Sequence, residues 1–275
     1  MGWHPHSDNG HGDPDDQLGW MLEQMRHEMS SRSVSSLTQR QALSINFNYS
    51  AFNYFEGFHV SVLESEIVCD NCGNVSRTGG NNERHFPIPI RSRSSRHRAS
   101  QLSGLIDAYM DEIVDGYRCE KEGCGSVAQK HRVQKIVYAP DILLVQLKRF
   151  NWYGSKDCSR IGFSERLNLT RHASHESMGS LDYELVAVVC HQGSVGFGHY
   201  ICVARTDAKP LSKKWAEYDD QAMCATTVNT AINPTKELGR DWTPYLLFYK
   251  RNEETVPTKH FRREECKGIL ERTGI

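Results

Sequence analysis

The chain lacks a long apolar run. Its longest, such as Ile142 to Leu147, falls far short of the ~20 residues a membrane-spanning helix needs. The opening residues Met1-Gly2-Trp3-His4-Pro5-His6 contain no apolar signal segment, and no Ser or Thr of the kind a myristoylation motif sets after Gly2. No prenylation motif closes the sequence. Charge of one sign is missing too: 33 Lys and Arg stand against 34 Asp and Glu, for a formal net charge of −1. That balance argues against bulk electrostatic binding to nucleic acid or to an acidic membrane. Nine cysteines are an odd number and do not make a complete disulfide framework. A cytoplasmic or nuclear protein with reduced thiols is expected, with no membrane and no nucleic-acid partner. A chain of 275 residues, 38% of them hydrophobic, can bury a full core.

Residues 1–13 are polar and read as a disordered tail. Asp13-Pro14-Asp15-Asp16 then opens a helix, with a capping side chain, a proline at the first helical position and acids in the first turn. Leu18, Met21, Leu22, Met25 and Met29 make its apolar face, and the serine-rich stretch 30–36 reads as a loop. Phe58, Val60 and Val62 alternate as in a half-buried strand. His85 to Ile90 predicts a short edge strand, limited by Pro87 and Pro89. The basic run Arg91, Arg93, Arg96, His97 and Arg98 carries no interleaved aromatic for base stacking and reads as a solvated loop. Ser100 caps a helix whose face comprises Leu102, Leu105, Ile106, Tyr109, Met110 and Ile113. Ile142 to Leu147 predicts a strand buried on most sides, after which Lys148 and Arg149 face water or a carboxylate. Gln192 to Gly198 reads as a pliable glycine-rich loop, and Asn229 to Arg240 as an insertion before the last strand.

Two cysteine pairs stand in glycine-containing turns: Cys69 and Cys72 of Cys69-Asp70-Asn71-Cys72-Gly73, and Cys119 and Cys124 of Cys119-Glu120-Lys121-Glu122-Gly123-Cys124-Gly125. Such knuckles let two pairs of sulfurs reach one tetrahedral Zn²⁺. Four thiolates leave no open coordination position, so this zinc would be structural. The separation suits knuckles at the tips of adjacent hairpins.

Further on, Gly198 to Arg205 and Lys214 to Asp219 read as neighbouring strands joined by the polar, proline-containing stretch Thr206 to Lys213. A turn centred near Lys209-Pro210 sets His199 opposite Asp219 or Asp220. A carboxylate beside an imidazole fixes its tautomer and makes it a usable general base.

The words around this pair form an ordered series: His191-Gln192-Gly193 with Gly198-His199-Tyr200, then Lys214-Trp215-Ala216-Glu217-Tyr218-Asp219-Asp220, then Pro244-Tyr245-Leu246-Leu247-Phe248-Tyr249-Lys250. Together with Ile136 to Phe150 and the two knuckles, they resemble the ubiquitin-specific proteases, papain-like cysteine proteases that cleave ubiquitin from lysines. The resemblance implies an α+β papain-like fold with zinc fingers and a β-rich palm, the helical thumb mostly missing. It implies His199 as base, Asp219 as its orienting acid and Asp220 as an assisting polar residue. Ubiquitin and ubiquitinated proteins would be the partners, held by the Gln192–Gly198 stretch and the loop Asn151 to Arg160. The protease domain would cover 14–251, with fingers at about 58–138, palm at about 139–251 and a charged tail at 252–275.

The family's nucleophile sits in a Gly-Asn-Thr-Cys-Tyr-like box, and this sequence holds no such box. Two readings follow. The chain is the C-terminal part of a deubiquitinase whose cysteine lies upstream, or it is an inactive ubiquitin-binding scaffold. A zinc-ribbon nucleic-acid binder using Arg91 to Arg98 is a third class, and it leaves the Gly-His-Tyr region without a purpose.

Overall fold

The computed structural model describes residues 13–31, 59–90, 101–151, 153–175, 179–207, 214–239 and 241–252. The readings of the N-terminal tail before Asp13, the Phe58 strand position, the Arg91–Arg98 run and the tail beyond residue 252 lie outside these residues. So does most of the serine-rich loop. The chain divides into two units, Met1–Glu56 and Gly57–Ile275.

The first unit contributes α1 (Pro14–Ser31). Asp13 caps it as expected: Asp15 N–H donates to Asp13 Oδ1 at 2.8 Å, and Asp15 and Asp16 fill the first turn. Carboxylates there satisfy free amides and complement the helix dipole.

The second unit is built on two sheets. Its elements in chain order are β1 (Ser61–Val68), β2 (Val75–Glu83), β3 (Phe86–Pro89), α2 (Leu102–Met110), β4 (Asp111–Arg118), β5 (Val127–Tyr138), β6 (Ile142–Lys148), β7 (Arg166–Asn168), β8 (Asp182–Ser194), β9 (Phe197–Arg205), β10 (Trp215–Asp219), β11 (Ala222–Thr226), α3 (Val228–Ile232), α4 (Pro234–Glu237) and β12 (Thr243–Arg251). Four strands in the order β2-β1-β5-β4 make an antiparallel sheet whose hairpin tips carry the cysteine knuckles. The larger sheet runs β11-β10-β9-β8-β12-β6-β3, with β7 added beside β8. All its pairings are antiparallel except β3 with β6.

β6 is interior, between β12 and β3, and its apolar run follows from that place. β3 is the sheet's edge, where Pro87 and Pro89 cost no ladder hydrogen bond. One face of the sheet and the apolar side of α2 share the core: Leu102, Leu105, Ile106 and Met110 lie in one cluster with Phe86, Ile88, Leu143, Val145, Leu147, Val188, Ile201, Val203, Leu247 and Tyr249.

Several local expectations change. The helical stripe ends at Met110, because Asp111 turns extended (φ −133°, ψ 94°) and begins β4. Ile113 therefore lies on a strand and is exposed. The cap position is Gln101, whose side chain makes no capping hydrogen bond. Arg149 turns inward rather than toward water: it is 1% exposed and donates to the carbonyls of Pro244 (2.5 Å), Asp157 (2.8 Å) and Ser159 (3.0 Å). The stretch read as an insertion forms α3 and α4, with Ala231 fully buried and Val228, Ile232 and Leu238 packed on the core. Gln192 to Gly198 is no pliable loop. Gln192 pairs with His199, Gly193 with Gly198 and Ser194 with Phe197, leaving only Val195 and Gly196 in the turn.

Candidate active site

β9 and β10 deliver the predicted pair, one residue out of the expected register. Glu217 pairs with Val203 and Tyr218 with Cys202, where the ladder ends. His199 is thus not directly opposite either aspartate. Continuing that register sets Asp219 beside Ile201, two residues from His199 on the same face. The side chains meet on the diagonal, a reach open to long and aromatic side chains. His199 Nε2 lies 2.5 Å from Asp219 Oδ1. An ionised carboxylate only accepts, so Nε2–H donates and Nδ1 keeps its lone pair. The two side chains are 43% and 46% exposed, so solvent screens the pair and it adds little to stability. The same exposure leaves the imidazole accessible to a reacting group.

Asp220 is the first residue of the two-residue turn between β10 and β11, at φ 49°. Aspartate tolerates that left-handed conformation better than most residues. The turn brings the ligand-capable atoms of His199, Asp219 and Asp220 within 4.8 Å of one another. Trp242 stands edge-on to the imidazole, ring centroids 6.0 Å apart. Its backbone N–H donates to Gly239 O and its carbonyl accepts from Thr235 Oγ1, so α4 and the following turn hold it.

On the other face of the same strands lies a group the sequence reading missed. His191 and Tyr200 are cross-strand partners with ring centroids 4.6 Å apart. Phe150 meets His191 at 5.2 Å and Tyr245 at 5.6 Å, and Tyr245 meets Tyr200 at 6.1 Å, closing a ring of four aromatic side chains. The His191 carbonyl accepts from Lys156 Nζ (2.9 Å) and Thr243 Oγ1 (3.1 Å). Burial, followed by the nearby Lys156 and Arg149 charges, pushes the His191 pKa down to about 4. The only sequence signal was that residues 191 and 200 would share a face if 192 paired with 199. The loop after Phe150 is tightly organised: Asn151 Oδ1 accepts from the N–H groups of Tyr153 and Ser155, both at 3.0 Å.

Burial makes two thiols of this sheet, Cys190 and Cys202, poor nucleophiles. Cys190 is fully buried and burial drives its pKa strongly up; burial also raises that of Cys202. Cys158 and Cys224 are exposed.

The four knuckle cysteines converge. Cys69 N–H donates to Asn74 O and Gly73 N–H to Cys69 O; Cys119 N–H donates to Ser126 O and Cys124 N–H to Lys121 O. Gly73, Gly123 and Gly125 take positive φ in these turns. All four Sγ atoms lie within 4.8 Å of one another, with Cys69–Cys124 at 3.9 Å and Cys72–Cys119 at 3.6 Å. A tetrahedron with ~2.3 Å metal–sulfur bonds has edges of ~3.8 Å, so the donor set fits one zinc ion. Asn71 Nδ2 donates to Cys124 Sγ at 3.4 Å, which helps hold that thiol's pKa down, to about 6.

Two side-chain constellations thus stand out in this chain, an imidazole–carboxylate pair on the larger sheet and four converging cysteines at the hairpin tips of the smaller one. The family model for ubiquitin carboxyl-terminal hydrolase matches residues 7–249, and the chain belongs to that family. It is 30% identical over 198 residues to ubiquitin carboxyl-terminal hydrolase 36 of Drosophila mojavensis, covering 68% of this chain and 15% of that protein. With ubiquitin carboxyl-terminal hydrolase 9 of Saccharomyces cerevisiae it shares 26% identity over 246 residues, covering 85% of this chain and 32% of the relative. The fold is similar to Ubp8 in the SAGA DUB module bound to monoubiquitin, at TM-score 0.65 and 21% identity over 90% of this chain and 49% of that one. The chain thus spans a third or less of these two curated relatives and about half of the solved structure. The papain-like fold of the ubiquitin-specific proteases is the architecture of this chain. No described helix is long and apolar enough to cross a membrane.

Proposed function

We propose that this chain supplies the general base, its orienting acid and the finger region of a thiol-dependent deubiquitinase acting inside the cell, in cytoplasm or nucleus. The reaction is hydrolysis of the isopeptide bond after the C-terminal glycine of ubiquitin. The observation that carries the reading is the 2.5 Å contact between His199 Nε2 and Asp219 Oδ1, which leaves Nδ1 as the basic nitrogen. A cysteine from a segment outside these 275 residues gives its proton to Nδ1, and its thiolate attacks the isopeptide carbonyl. His199 then returns the proton to the departing lysine amine, leaving a thioester. Water, deprotonated by the same nitrogen, releases the ubiquitin carboxylate and the thiol. Asp219 holds the imidazole and stabilises the imidazolium, and Asp220 adds a second carboxylate in reach. The loop after Phe150 and the β8–β9 hairpin cradle the ubiquitin tail. Cys69, Cys72, Cys119 and Cys124 hold a structural Zn²⁺, with all four positions filled by protein.

The test is a ubiquitin probe carrying a C-terminal electrophile. The 275-residue chain binds ubiquitin without being labelled, whereas a version extended upstream through a cysteine box is labelled, and His199→Ala abolishes that labelling. Labelling of the 275-residue chain at any of its nine cysteines would overturn the claim that the nucleophile lies elsewhere. If both the short and extended chains ignore ubiquitin, the deubiquitinase reading fails. Ubiquitin binding with no labelling of the extended chain supports the scaffold instead.

A further inference from the structure

We infer that His191 is a positioning residue for the His199–Asp219 pair, acting through Gly198. The inference rests on the reading of that pair as base and orienting acid. Gly198 immediately precedes His199, and a Cβ built on it would sit 2.0 Å from His191 Nε2 and 2.6 Å from the Gln192 carbonyl oxygen. The imidazole of residue 191 therefore lies directly over the backbone of residue 198, in space that any larger side chain would claim. Gly198 is not in a left-handed conformation, so this close approach, and not φ, is what demands glycine.

Everything around His191 keeps that ring in place. It is 3% exposed, tilted against Tyr200 at 4.6 Å and edge-on to Phe150 at 5.2 Å. Its carbonyl is tied from two sides, by Lys156 Nζ and by Thr243 Oγ1 of β12. Its Nδ1 makes no hydrogen bond, so nothing but ring packing orients the side chain at that atom. Gly198 and Tyr200 flank His199 on β9, and both are in contact with this one ring. The strand that carries the base is thus seated on His191 on one face while the base reaches Asp219 on the other. The contact to Asp219 is diagonal and so has a component along the strand, which makes its length change directly when β9 slides.

The test uses the full 275-residue chain labelled with ¹⁵N-histidine and long-range proton–nitrogen spectra, with His199 assigned through His199→Gln. The wild type shows the Nε2-protonated tautomer of His199. His191→Ala and Gly198→Ala each lower that tautomer at least about twofold. The double variant restores it, because the new methyl occupies the space the imidazole leaves. His191→Phe retains it, since the ring and not its nitrogens does the positioning. A His199 signature unchanged in Gly198→Ala, or a double variant no better than the worse single one, overturns the inference. Should Gly198→Ala fail to fold, the double variant decides: a folded chain with native His199 signals supports the inference, and an unfolded one overturns it. A wild type without the Nε2-protonated form overturns the catalytic reading and this inference together. A wild type that shows it, with both single variants unchanged, overturns this inference alone.

Discussion

Replacing Arg149 tests how the site is held. Its guanidinium is 1% exposed and makes three hydrogen bonds, one to β12 at Pro244 and two to the loop at Asp157 and Ser159. Burial alone pulls its pKa down to about 10, a sign of the desolvation the side chain bears. Arg149→Ala removes three charge-assisted bonds and leaves three carbonyls without their donor. A net ~1.5 kcal/mol for each, less the desolvation no longer borne by the charge and the relief from water entering the gap, gives about 3–4 kcal/mol. For a domain of this size that is a fall of about 10 °C in melting temperature. Arg149→Lys keeps the charge but not the fork, and should lose about half as much. Urea denaturation followed by intrinsic tryptophan fluorescence measures both. A loss under ~1 kcal/mol for Arg149→Ala would refute the view that this one side chain staples loop to sheet.

Metal analysis should find one zinc per chain, and Cys72→Ser or Cys124→Ser should abolish it. Apparent binding free energies of ~10–16 kcal/mol for such sites mean the ion survives purification, and its chelation lowers the melting temperature. A chelated chain that melts unchanged argues against a structural role. Stability should also fall on the acid side. The His191 pKa is depressed to about 4 by burial, then by Lys156 and Arg149, from an ordinary value near 6.5. The unfolded chain therefore binds a proton first, and stability that is full above pH ~6.5 is lost as pH drops toward 4. After allowance for screening the loss is on the order of 2 kcal/mol, and His191→Phe should remove that part of the slope in urea melts at stepped pH.

The parts of this fold that could be read from sequence are those whose causes are local. The knuckles depend on cysteine spacing and on glycines at positive φ, so both were readable, including their place at hairpin tips. The β3 prolines gave its edge position for the same reason. Register was harder. The stretch 206–213 does not say where its turn is centred, and one residue of error moved His199 from a direct to a diagonal partner of Asp219. Arg149 read as facing water or a carboxylate because a charge after an apolar strand usually does. Its inward turn depends on carbonyls at 157, 159 and 244 that no local pattern announces. His191 escaped notice because its role lies in a contact through the strand to Gly198, visible only once the hairpin closes. Ile113 continued a helical spacing by coincidence, and pairing of β4 with β5 overrode it.

The route of β3 has a consequence for anyone who would reshape this molecule. The chain leaves the finger after Glu83, lends Phe86 to Pro89 to the far border of the larger sheet, and returns through α2 before β4 begins. The two sheets are therefore interlaced, not bolted together. Excising everything from β1 to β5 as a cassette would strip Phe86, Ile88 and the α2 side chains from the common core. The larger sheet that carries His199 thus depends on residues the chain supplies from within the smaller one's stretch of sequence.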